Sequence, residues 1–319
     1  MPQAQHEKPD YHQMGTNIFY SANPAQATTP TTIMHPADMI APATLYVVAT
    51  PIGNLRDITL RALDVLAAVD VIAAEDTRTT RRLLTHFSIS KRMIAVHQHN
   101  EMGAAQRVTD LLRGGQAVGF VTDAGTPGIS DPGGMLVKLV REQGCNVVPV
   151  PGANAAICAL SAAGIPASRF LFYGFLPSSP GPRRRELEEL RSSPYTLAFY
   201  EAPHRILESV SDLADVFGAH RHLAIARELT KLFENIHICP LGDAVAWLEA
   251  DPNHQKGEFV LILAASEAAR EDQLSDQTQR TLKLLLEDLP LRQAVKLAAD
   301  ITGQSKNKIY SLALTLKSD

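Results

Sequence analysis

The sequence predicts an α/β protein with two α/β domains, followed by a small helical domain. Short apolar segments alternate with segments of helical periodicity from residue 45 onward, and this alternation favours a largely parallel sheet covered by helices. Loops rich in Gly and Pro follow several apolar segments, as they do where α/β proteins bind ligands at the carboxyl ends of strands. The end of the chain has helical periodicity on both sides of Gly303, which is a helix–turn–helix-like spacing.

Composition narrows the classes of protein to which the chain can belong. Its 319 residues are enough for two domains, and an apolar content of 45% is ordinary for a globular protein. A formal net charge of −4 gives no global signature of nucleic-acid binding, so such a contact needs a local basic patch. The 3 cysteines are far apart in apolar stretches, which favours buried reduced thiols over disulfides or zinc ligands. With no membrane-spanning apolar run and no secretory signal, we expect a cytoplasmic protein without membrane contact.

Shifts in composition divide the chain into five segments. Residues 1–43 hold six prolines and have no apolar periodicity, which predicts a disordered extension. Residues 267–279 are polar and acidic, which indicates a linker. The expected segments are therefore a disordered extension (1–43), an N-terminal α/β domain (44–160), a C-terminal α/β domain (161–266), a linker (267–279) and a helix–turn–helix-like domain (280–319).

The N-terminal α/β domain is predicted from apolar strands separated by helices. The expected strands are residues 45–49, 71–74, 93–96, 117–121 and 146–150. The expected helices are residues 59–68, 79–86, 106–112, 135–140 and 155–163. The last of these helices is rich in small residues, which permit close packing or the close approach of a ligand to its first turn.

The C-terminal α/β domain continues the alternation, with strands expected at residues 170–173, 196–200, 223–226, 236–239 and 259–263. Residues 177–185 lie between the first two strands and hold three prolines, followed by Arg183, Arg184 and Arg185, so we predict a mobile basic loop. The tail then contains helical segments at residues 291–299 and 306–316. Residues 291–319 carry five Lys or Arg against two Asp, so the tail is basic.

Two Gly/Pro loops in the N-terminal domain predict a ligand cleft. Residues 49–54 (ATPIGN) follow the first strand, and residues 122–134 (TDAGTPGISDPGG) follow the fourth, with Asp123 and Asp131 on either side of the turn. Either loop alone also fits an ordinary βα turn, but two at strand ends of one domain favour a small-molecule cleft. The sequence has neither a G-x-G-x-x-G nor a G-x-x-x-x-G-K-[ST] motif, which removes the main support for nicotinamide enzymes and P-loop NTPases.

Ionisable residues follow the second and third strands. Glu75, Asp76 and Arg78 close the second strand, where substrate contact is expected in α/β proteins. The alternative is a surface helix start with Asp76 or Thr77 as its N-cap. Residues 97–101 (HQHNE) have an H-x-H spacing that puts two imidazoles on one strand face. Nothing nearby completes a metal shell, so substrate contact or surface exposure is favoured, and we expect no metal.

Two further clusters follow strands of the C-terminal domain. Glu201 and His204 are chemically able to act as acid or base, and Pro203 suits the first position of a helix. The equal alternative is that this pair serves only to cap that helix. Arg227 and Lys231 are able to hold phosphate, and the alternative is a solvated, salt-bridged segment.

Taken in order, the motifs resemble a known family. ATPIGNLRDIT, AAEDTRTT, VHQHNE, VTDAGTPGISDPG, VPGANAA, GFLP, FYEAPHR, ARELTK and KGEFVLIL follow one another along the chain. The set resembles the ribosomal RNA small-subunit methyltransferase I group within the tetrapyrrole-methylase-like superfamily, over about residues 44–265, and the helical tail resembles that group's C-terminal extension. The resemblance implies two α/β domains of the class III methyltransferase type, with S-adenosylmethionine in the cleft between them, and a homodimer. It also implies 2′-O-methylation of the ribose of a decoding-centre cytidine in 16S rRNA, with 16S rRNA or the small ribosomal subunit as partner.

The resemblance also implies which residues contact the cofactor. Carried over position by position, they are Pro51, Gly53, Asp123, Gly125, Thr126, Asp131, Pro132, Asn154, Ala155, Gly257 and Glu258. The tetrapyrrole-modifying relatives have a more Gly-rich first loop than residues 49–54, and this departure fits the RNA-modifying branch better.

Transfer of a methyl group to a ribose hydroxyl benefits from a base and from groups that hold RNA phosphates. The candidate bases are Glu75, Asp76, Glu201 and His204, which the sequence does not rank. The candidate RNA contacts are Arg78, Arg183, Arg184, Arg185, Arg205, Arg227, Lys231, Lys306 and Lys308. Two alternative functions remain: a methyltransferase acting on a tetrapyrrole or other small molecule, and a non-catalytic RNA-binding protein of ribosome assembly.

Overall fold

The computed structural model describes residues 40–97, 100–266 and 276–318. Most of the predicted N-terminal extension, most of the predicted linker and residues 98–99 of the H-x-H segment therefore lie outside the described residues. At the start of the described chain, Ile40 packs against the core of the first sheet, and the Ala41 amide donates to the Tyr46 hydroxyl over 2.9 Å.

The first sheet has five parallel strands in the order β3-β2-β4-β1-β5, as the alternation predicts. The strands are β1 (Thr44–Val48), β2 (Val71–Ala74), β3 (Arg92–Ala95), β4 (Val118–Val121) and β5 (Asn146–Val150). The helices are α1 (Leu60–Ala68), α2 (Thr77–His86), α3 (Glu101–Arg113), α4 (Gly134–Glu142) and α5 (Ala155–Ala162). Strands β2 and β4 are buried along their whole length, because helices cover both faces of the sheet.

The strand order of the first sheet decides where a ligand can bind. β4 lies between β1 and β2, so the loop after β1 and the loop after β4 leave neighbouring strands at the same edge. The two loops are joined by paired backbone hydrogen bonds between Thr50 and Gly125, of 2.8 and 3.1 Å. A crevice at the carboxyl ends of strands, where the strand order reverses, is the usual ligand position in such sheets.

The second sheet is mixed and runs in the order β6-β7-β10-β8-β9. Its strands are β6 (Phe170–Phe175), β7 (Thr196–Glu201), β8 (His222–Arg227), β9 (Asn235–Pro240) and β10 (Phe259–Leu263). β6 and β7 are parallel, whereas β10 is antiparallel to both β7 and β8, and β8 is antiparallel to β9. The antiparallel pairing of β8 with β9 follows from the short loop between them, since a parallel crossover needs a dozen or more residues.

The two faces of the second sheet differ in side-chain size. Bulky residues such as Phe199 and Leu261 pack against α6 (Pro180–Glu189), α7 (Ile206–Phe217) and α8 (Leu241–Ala250). The opposite face packs against α5 of the first domain, and it has the small residues Ala198, Ala224 and Ala226 beside larger ones such as Ile262. The small side chains on both sides let α5 lie close to the second sheet, and this joins the two α/β units.

The prediction of a mobile basic loop at residues 177–185 is wrong, because α6 begins at Pro180. Proline at the first position of a helix suits its fixed φ and its missing amide hydrogen. Arg183 is buried rather than exposed, and its Nε lies 2.6 Å from Asp212 of α7. Arg184 also bonds Asp212, at 2.6 Å, so the arginines hold α6 to α7.

The chain ends in three helices, α9 (Asp276–Asp288), α10 (Leu291–Thr302) and α11 (Lys306–Ser318). They share a small core of their own, which includes Leu282, Val295 and Ile309. Gly303 ends α10 in the left-handed conformation, with φ of 70°, which favours glycine at this helix end. Within the described residues, every helix is too short or too polar to cross a lipid bilayer.

Candidate active site

A cavity of about 340 Å³ lies between the first domain and the second sheet. The first domain contributes the loop after β1, the loop after β4 and the start of α5. The second contributes the ends of β6 and β7, the loop after β8 and the start of β10. The lining residues are Ile52, Ala124, Gly125, Thr126, Ile129, Ser130, Asp131, Asn154, Ala155, Phe175, Tyr200, Glu201, Ala202, Pro203, Leu229, Glu258, Phe259 and Val260. The cavity thus has mainly apolar walls with a few polar groups, as small-molecule sites do.

Hydrogen bonds connect the loop after β4, the loop before α5 and the end of β7 where they meet the cavity. Thr126 Oγ1 donates to the Ala153 carbonyl over 3.1 Å, which connects the loop after β4 to the loop before α5. Asn154 caps α5 by accepting from the Ile157 amide at 3.1 Å. The Tyr200 hydroxyl accepts from the Ala156 amide at 3.3 Å, so the second domain also holds the first turn of α5. These bonds fix the wall of the cavity before any ligand arrives.

Two glycines are required by the space around them. Gly133 has φ of 126°, and a Cβ there would lie 2.3 Å from the Phe120 ring. Gly257 has φ of 91°, and a Cβ there would lie 2.3 Å from Glu228 Cγ. A larger residue at Gly133 displaces the loop after β4, and one at Gly257 displaces the turn before β10.

Carboxylates gather at the end of the cavity near β2 and β4. The Asp76 amide donates to Asp123 Oδ1, and the Asp123 amide donates to Glu75 Oε2, each over 3.2 Å. Asp131 lies beside this pair and accepts from Thr122 Oγ1 at 3.3 Å. Burial and the nearby Glu75 carboxylate raise the pKa of Asp131 to about 6. Burial also raises the pKa of Glu75 and that of Asp123.

Asp76 differs from its neighbours because it is paired. It caps α2 by accepting from the Arg78 amide at 2.7 Å, and it forms a two-pronged salt bridge with the Arg78 guanidinium. The hydrogen bonds from Arg78 lower the pKa of Asp76 to about 2. A carboxylate held in this way is a weak proton acceptor, so its position favours the capping role.

Glu201 lines the cavity but is fully engaged. Its Oε1 pairs with Arg205 at 2.6 Å, and its Oε2 accepts from Ser209 Oγ at 2.5 Å. α7 begins at Ile206, so the prediction of Pro203 at its first position is wrong by about one turn. His204 is exposed in the turn that precedes α7.

The loop after β8 is held against the cavity by a salt-bridge network. Lys231 Nζ lies 2.7 Å from Glu228 Oε1 and 2.7 Å from Glu258 Oε2. Glu228 and Thr230 both have positive φ, of 51° and 66°, which is a strained conformation for residues other than glycine. Lys231 is thus engaged with two carboxylates, and Arg227 NH1 donates to the Lys256 carbonyl at 3.3 Å.

The structure brings together about half of the cofactor residues implied by the resemblance. Those that line the cavity are Gly125, Thr126, Asp131, Asn154, Ala155 and Glu258. The others adjoin lining residues in sequence, and they are Pro51, Gly53, Asp123, Pro132 and Gly257. The sequence analysis assigns no role to the apolar walls, of which Tyr200 and Phe175 are examples, although both residues lie within the motifs FYEAPHR and GFLP. The adjacency of Tyr200 to Glu201 was the available signal, since β7 ends at the cavity.

The candidate RNA contacts are spread over several surfaces. Arg78, Arg184 and Arg185 are exposed, whereas Arg183 is enclosed by Ser178, Glu208 and Asp212. Arg205 is paired with Glu201 beside the cavity. Lys306 and Lys308 are exposed at the start of α11, in the helical tail. Among the described residues there is no group of three or more His, Cys, Asp or Glu side chains arranged to hold a metal ion.

The α/β part of the chain and its helical tail are each similar to a known protein family. Residues 44–245 match the family of tetrapyrrole (corrin/porphyrin) methylases, and residues 272–317 match the RsmI C-terminal HTH domain. The chain is 52% identical to the ribosomal RNA small subunit methyltransferase I of Escherichia coli O157:H7, over 85% of this chain and 94% of that protein.

Solved structures share the fold at low sequence identity. A cobalt precorrin-4 methyltransferase has a TM-score of 0.54 and 16% identity, over 69% of this chain and 94% of the other. A uroporphyrin-III C-methyltransferase from Thermus thermophilus in complex with S-adenosylhomocysteine has a TM-score of 0.50 and 18% identity, over 69% of this chain and 97% of the other. The chain therefore belongs to the ribosomal RNA small subunit methyltransferase I family of the tetrapyrrole methylases, enzymes whose methyl donor is S-adenosylmethionine.

Proposed function

We propose that the chain transfers a methyl group from S-adenosylmethionine to the ribose 2′-hydroxyl of a decoding-centre cytidine in 16S rRNA. The observation that carries this proposal is the 52% identity to an rRNA small subunit methyltransferase over nearly its whole length. The match of the tail to the RsmI C-terminal domain adds support, because a tetrapyrrole substrate needs no such tail. On this proposal the enzyme works in the cytosol, on 16S rRNA or the small ribosomal subunit.

The cavity suits the donor in size and in chemistry. Its volume of about 340 Å³ lies within the range of small-molecule sites. Apolar walls such as Ile52 and Leu229 suit an adenine ring, and the Asp131 carboxylate suits a positively charged group. When bound, S-adenosylmethionine supplies a methyl group on a sulfonium. The residues proposed to hold it are the implied cofactor contacts, of which Thr126, Asp131, Asn154 and Glu258 are polar and line the cavity.

Among the candidate bases, geometry favours Glu75. Glu201 is held by Arg205 and Ser209, and Asp76 is held by Arg78. Glu75 accepts one backbone hydrogen bond, its pKa is raised by burial, and its charge acts on Asp131 in the cavity wall. A carboxylate with a raised pKa is the better proton acceptor for an incoming hydroxyl.

Single-turnover methylation at saturating donor tests this ranking. We expect Glu75→Gln to slow methyl transfer by about 10²–10⁴-fold while RNA binding is retained. His204→Ala is the comparison, since His204 is the remaining unburied candidate. If Glu75→Gln keeps the wild-type rate and His204→Ala loses methyl transfer, His204 is the base instead. Wild-type rates in both variants would reject a side-chain base at these two positions.

We propose further that the protein is a homodimer. Large apolar side chains are exposed beside the cavity: Leu232 is 88% exposed, Phe233 65% and Ile157 52%. Leu232 and Phe233 follow β8, and Ile157 lies on α5, and the loop after β8 and the start of α5 both line the cavity. An exposed apolar patch of this kind is typical of a protein interface. Sedimentation should show a dimer for the wild type and a monomer for Leu232→Lys with Phe233→Lys, whereas a wild-type monomer rejects the proposal.

The proposed reaction is tested by mapping ribose methylation in 16S rRNA from cells with and without this chain. We expect one cytidine 2′-O-methyl group in the decoding centre to disappear on deletion and to return with the wild-type chain. Purified enzyme with labelled donor should methylate small subunits or 16S rRNA but not a uroporphyrinoid. Methylation of the macrocycle alone would establish the small-molecule alternative. Failure to bind the donor in calorimetry would establish the non-catalytic one.

A further inference from the structure

We propose that the exposed face of α2 and the adjoining loop form a binding surface for the phosphodiester backbone of the RNA substrate. This surface consists of Arg78, Arg81, Arg82 and His86 on α2, together with Lys91 before β3. The inference rests on the proposed function, and it assigns RNA contacts beyond Arg78 that the motifs alone did not indicate.

The sequence of α2 places its arginines together. Arg78, Arg81, Arg82 and Thr85 have i, i+3, i+4 and i+7 spacing, which puts them on one side of a helix. Thr80, Leu83 and Leu84 are buried on the other side, against the first sheet. The helix therefore cannot turn its arginines away from solvent without exposing its apolar side.

Two open depressions lie along this face and share Arg81 and Thr85. Their lining contains three arginines, one lysine and one histidine but no carboxylate. It also contains hydroxyl groups, from Thr77, Ser88 and Ser90. Guanidinium, ammonium and hydroxyl groups are among the side-chain groups that contact phosphate oxygens. The chain as a whole is acidic, with a net charge of −4, so this basic face contrasts with the rest of the chain.

Two cations of this face, Arg81 and Arg82, lack protein partners among the described residues, whereas Arg78 is paired with Asp76. Arg81 and Arg82 are exposed and make no salt bridge or side-chain hydrogen bond within residues 40–97, 100–266 and 276–318. Adjacent guanidinium groups repel one another, and a bound polyanion relieves that repulsion. This complementarity favours the RNA backbone over a neutral or basic partner.

The position of the face connects it to the reaction. Arg78 is bonded to Asp76, and the Asp76 amide is bonded to Asp123 in the acidic cluster next to the cavity. An RNA strand lying along α2 therefore leads towards the cavity mouth. The surface holds and aligns the backbone, while Glu75 and the cavity act on the ribose.

RNA binding by the full-length protein at several salt concentrations tests the inference. The probe is a 16S rRNA fragment that contains the decoding centre. The plot of log affinity against log salt has a negative slope. Arg81→Ala with Arg82→Ala should make that slope shallower by about 2, since each lost phosphate contact removes about one unit. Arg81→Lys with Arg82→Lys should restore most of that slope, because the charge returns. Donor affinity and the thermal unfolding midpoint should stay at wild-type values.

Arg107→Ala with Arg141→Ala is the control, since both arginines are exposed on α3 and α4 of the same domain and the charge change is equal. An equal loss in the control and in the α2 variant would overturn the inference, as would a wild-type slope in the α2 variant. Preferential binding of anionic lipid vesicles over the RNA fragment would overturn it too. Absence of cytidine methylation by the wild type would reject the proposed reaction but leave the binding slopes as an independent test of this surface.

Discussion

At the residue scale, Asp131 is the carboxylate whose surroundings bear most on the proposed donor site. It lines the cavity, and burial together with the neighbouring Glu75 raises its pKa to about 6. In the unliganded protein, the raised pKa means that ionisation is harder in the folded state, so stability falls as pH rises from the unfolded pKa of Asp to about 6. A bound cation reverses that preference, because it favours the ionised carboxylate.

Donor affinity should therefore depend on pH. Above pH 6 the Asp131 carboxylate is charged, and below it the carboxyl takes up a proton and loses its attraction for a cation. We expect the dissociation constant of S-adenosylmethionine, measured by calorimetry, to rise by up to about tenfold per pH unit below 6. Asp131→Asn should bind weakly and without this dependence.

Glu75→Gln provides the control for the pH dependence. Its charge is one cause of the raised pKa of Asp131, so its removal should move the midpoint of the titration to lower pH. A wild-type affinity that is constant between pH 5 and 8 would contradict the assignment of Asp131 to the donor's cationic group.

At the scale of the element, α6 shows how a basic sequence becomes a structural part. Arg183 is 1% exposed and lies 2.6 Å from Asp212, so it is a buried ion pair between α6 and α7. Two residues further on, Arg185 is exposed. Removal of one partner from a buried pair costs about 3–5 kcal/mol when the other charge is left uncompensated. Arg184 still pairs with Asp212 when Arg183 is removed, so the loss should lie at the lower end of that range.

We expect Arg183→Ala to lower the free energy of unfolding by about 3 kcal/mol in denaturant titrations, and Arg185→Ala to change it by less than about 0.5 kcal/mol. RNA affinity of Arg183→Ala, measured well below its unfolding midpoint, should equal that of the wild type. Loss of RNA binding with unchanged stability would instead show that Arg183 acts as a phosphate contact.

The elements that the sequence predicts well are those decided by local pattern. β2 and β5 occur at the predicted residues, because a continuous apolar run between polar turns has few alternatives. The cleft between the loops after β1 and β4 was predictable for the same reason, since both loops carry their glycines and prolines in the sequence. The alternative interpretation of the Glu75–Arg78 segment, in which Asp76 is the N-cap of α2, is confirmed.

The features that the local sequence pattern does not predict depend on partners that are distant in the sequence. The burial of Arg183 depends on its pairing with Asp212, which lies 29 residues away in the sequence. Glu101 caps α4, as its Oε1 accepts from the amides of Gly133, Met135 and Leu136 at 3.0–3.1 Å, whereas its motif indicated only a polar group after β3. The strand directions of the second sheet and the apolar walls of the cavity also arise from tertiary packing, which a single sequence does not encode locally.

At the scale of the whole molecule, the proposed donor cavity and the basic residues of the helical tail lie on different parts of the chain. The cavity is lined by residues between Ile52 and Val260, all of which lie in the two α/β units. The helices α9, α10 and α11 have a separate core, and their basic residues Lys306 and Lys308 lie on α11. Removal of the tail therefore leaves the donor cavity with all of its lining.

Deletion of residues 276–319 should separate the two functions. We expect the truncated chain to bind S-adenosylmethionine with wild-type affinity in calorimetry and to show at least about a tenfold higher KM for the RNA substrate, because phosphate contacts supply much of the affinity. Lys306→Ala with Lys308→Ala should reproduce part of the rise in KM if the charge of α11, rather than the bulk of the tail, is what contacts RNA. Wild-type KM in the truncated enzyme would confine RNA recognition to the α/β units, and loss of donor binding on truncation would show that the tail supports their fold.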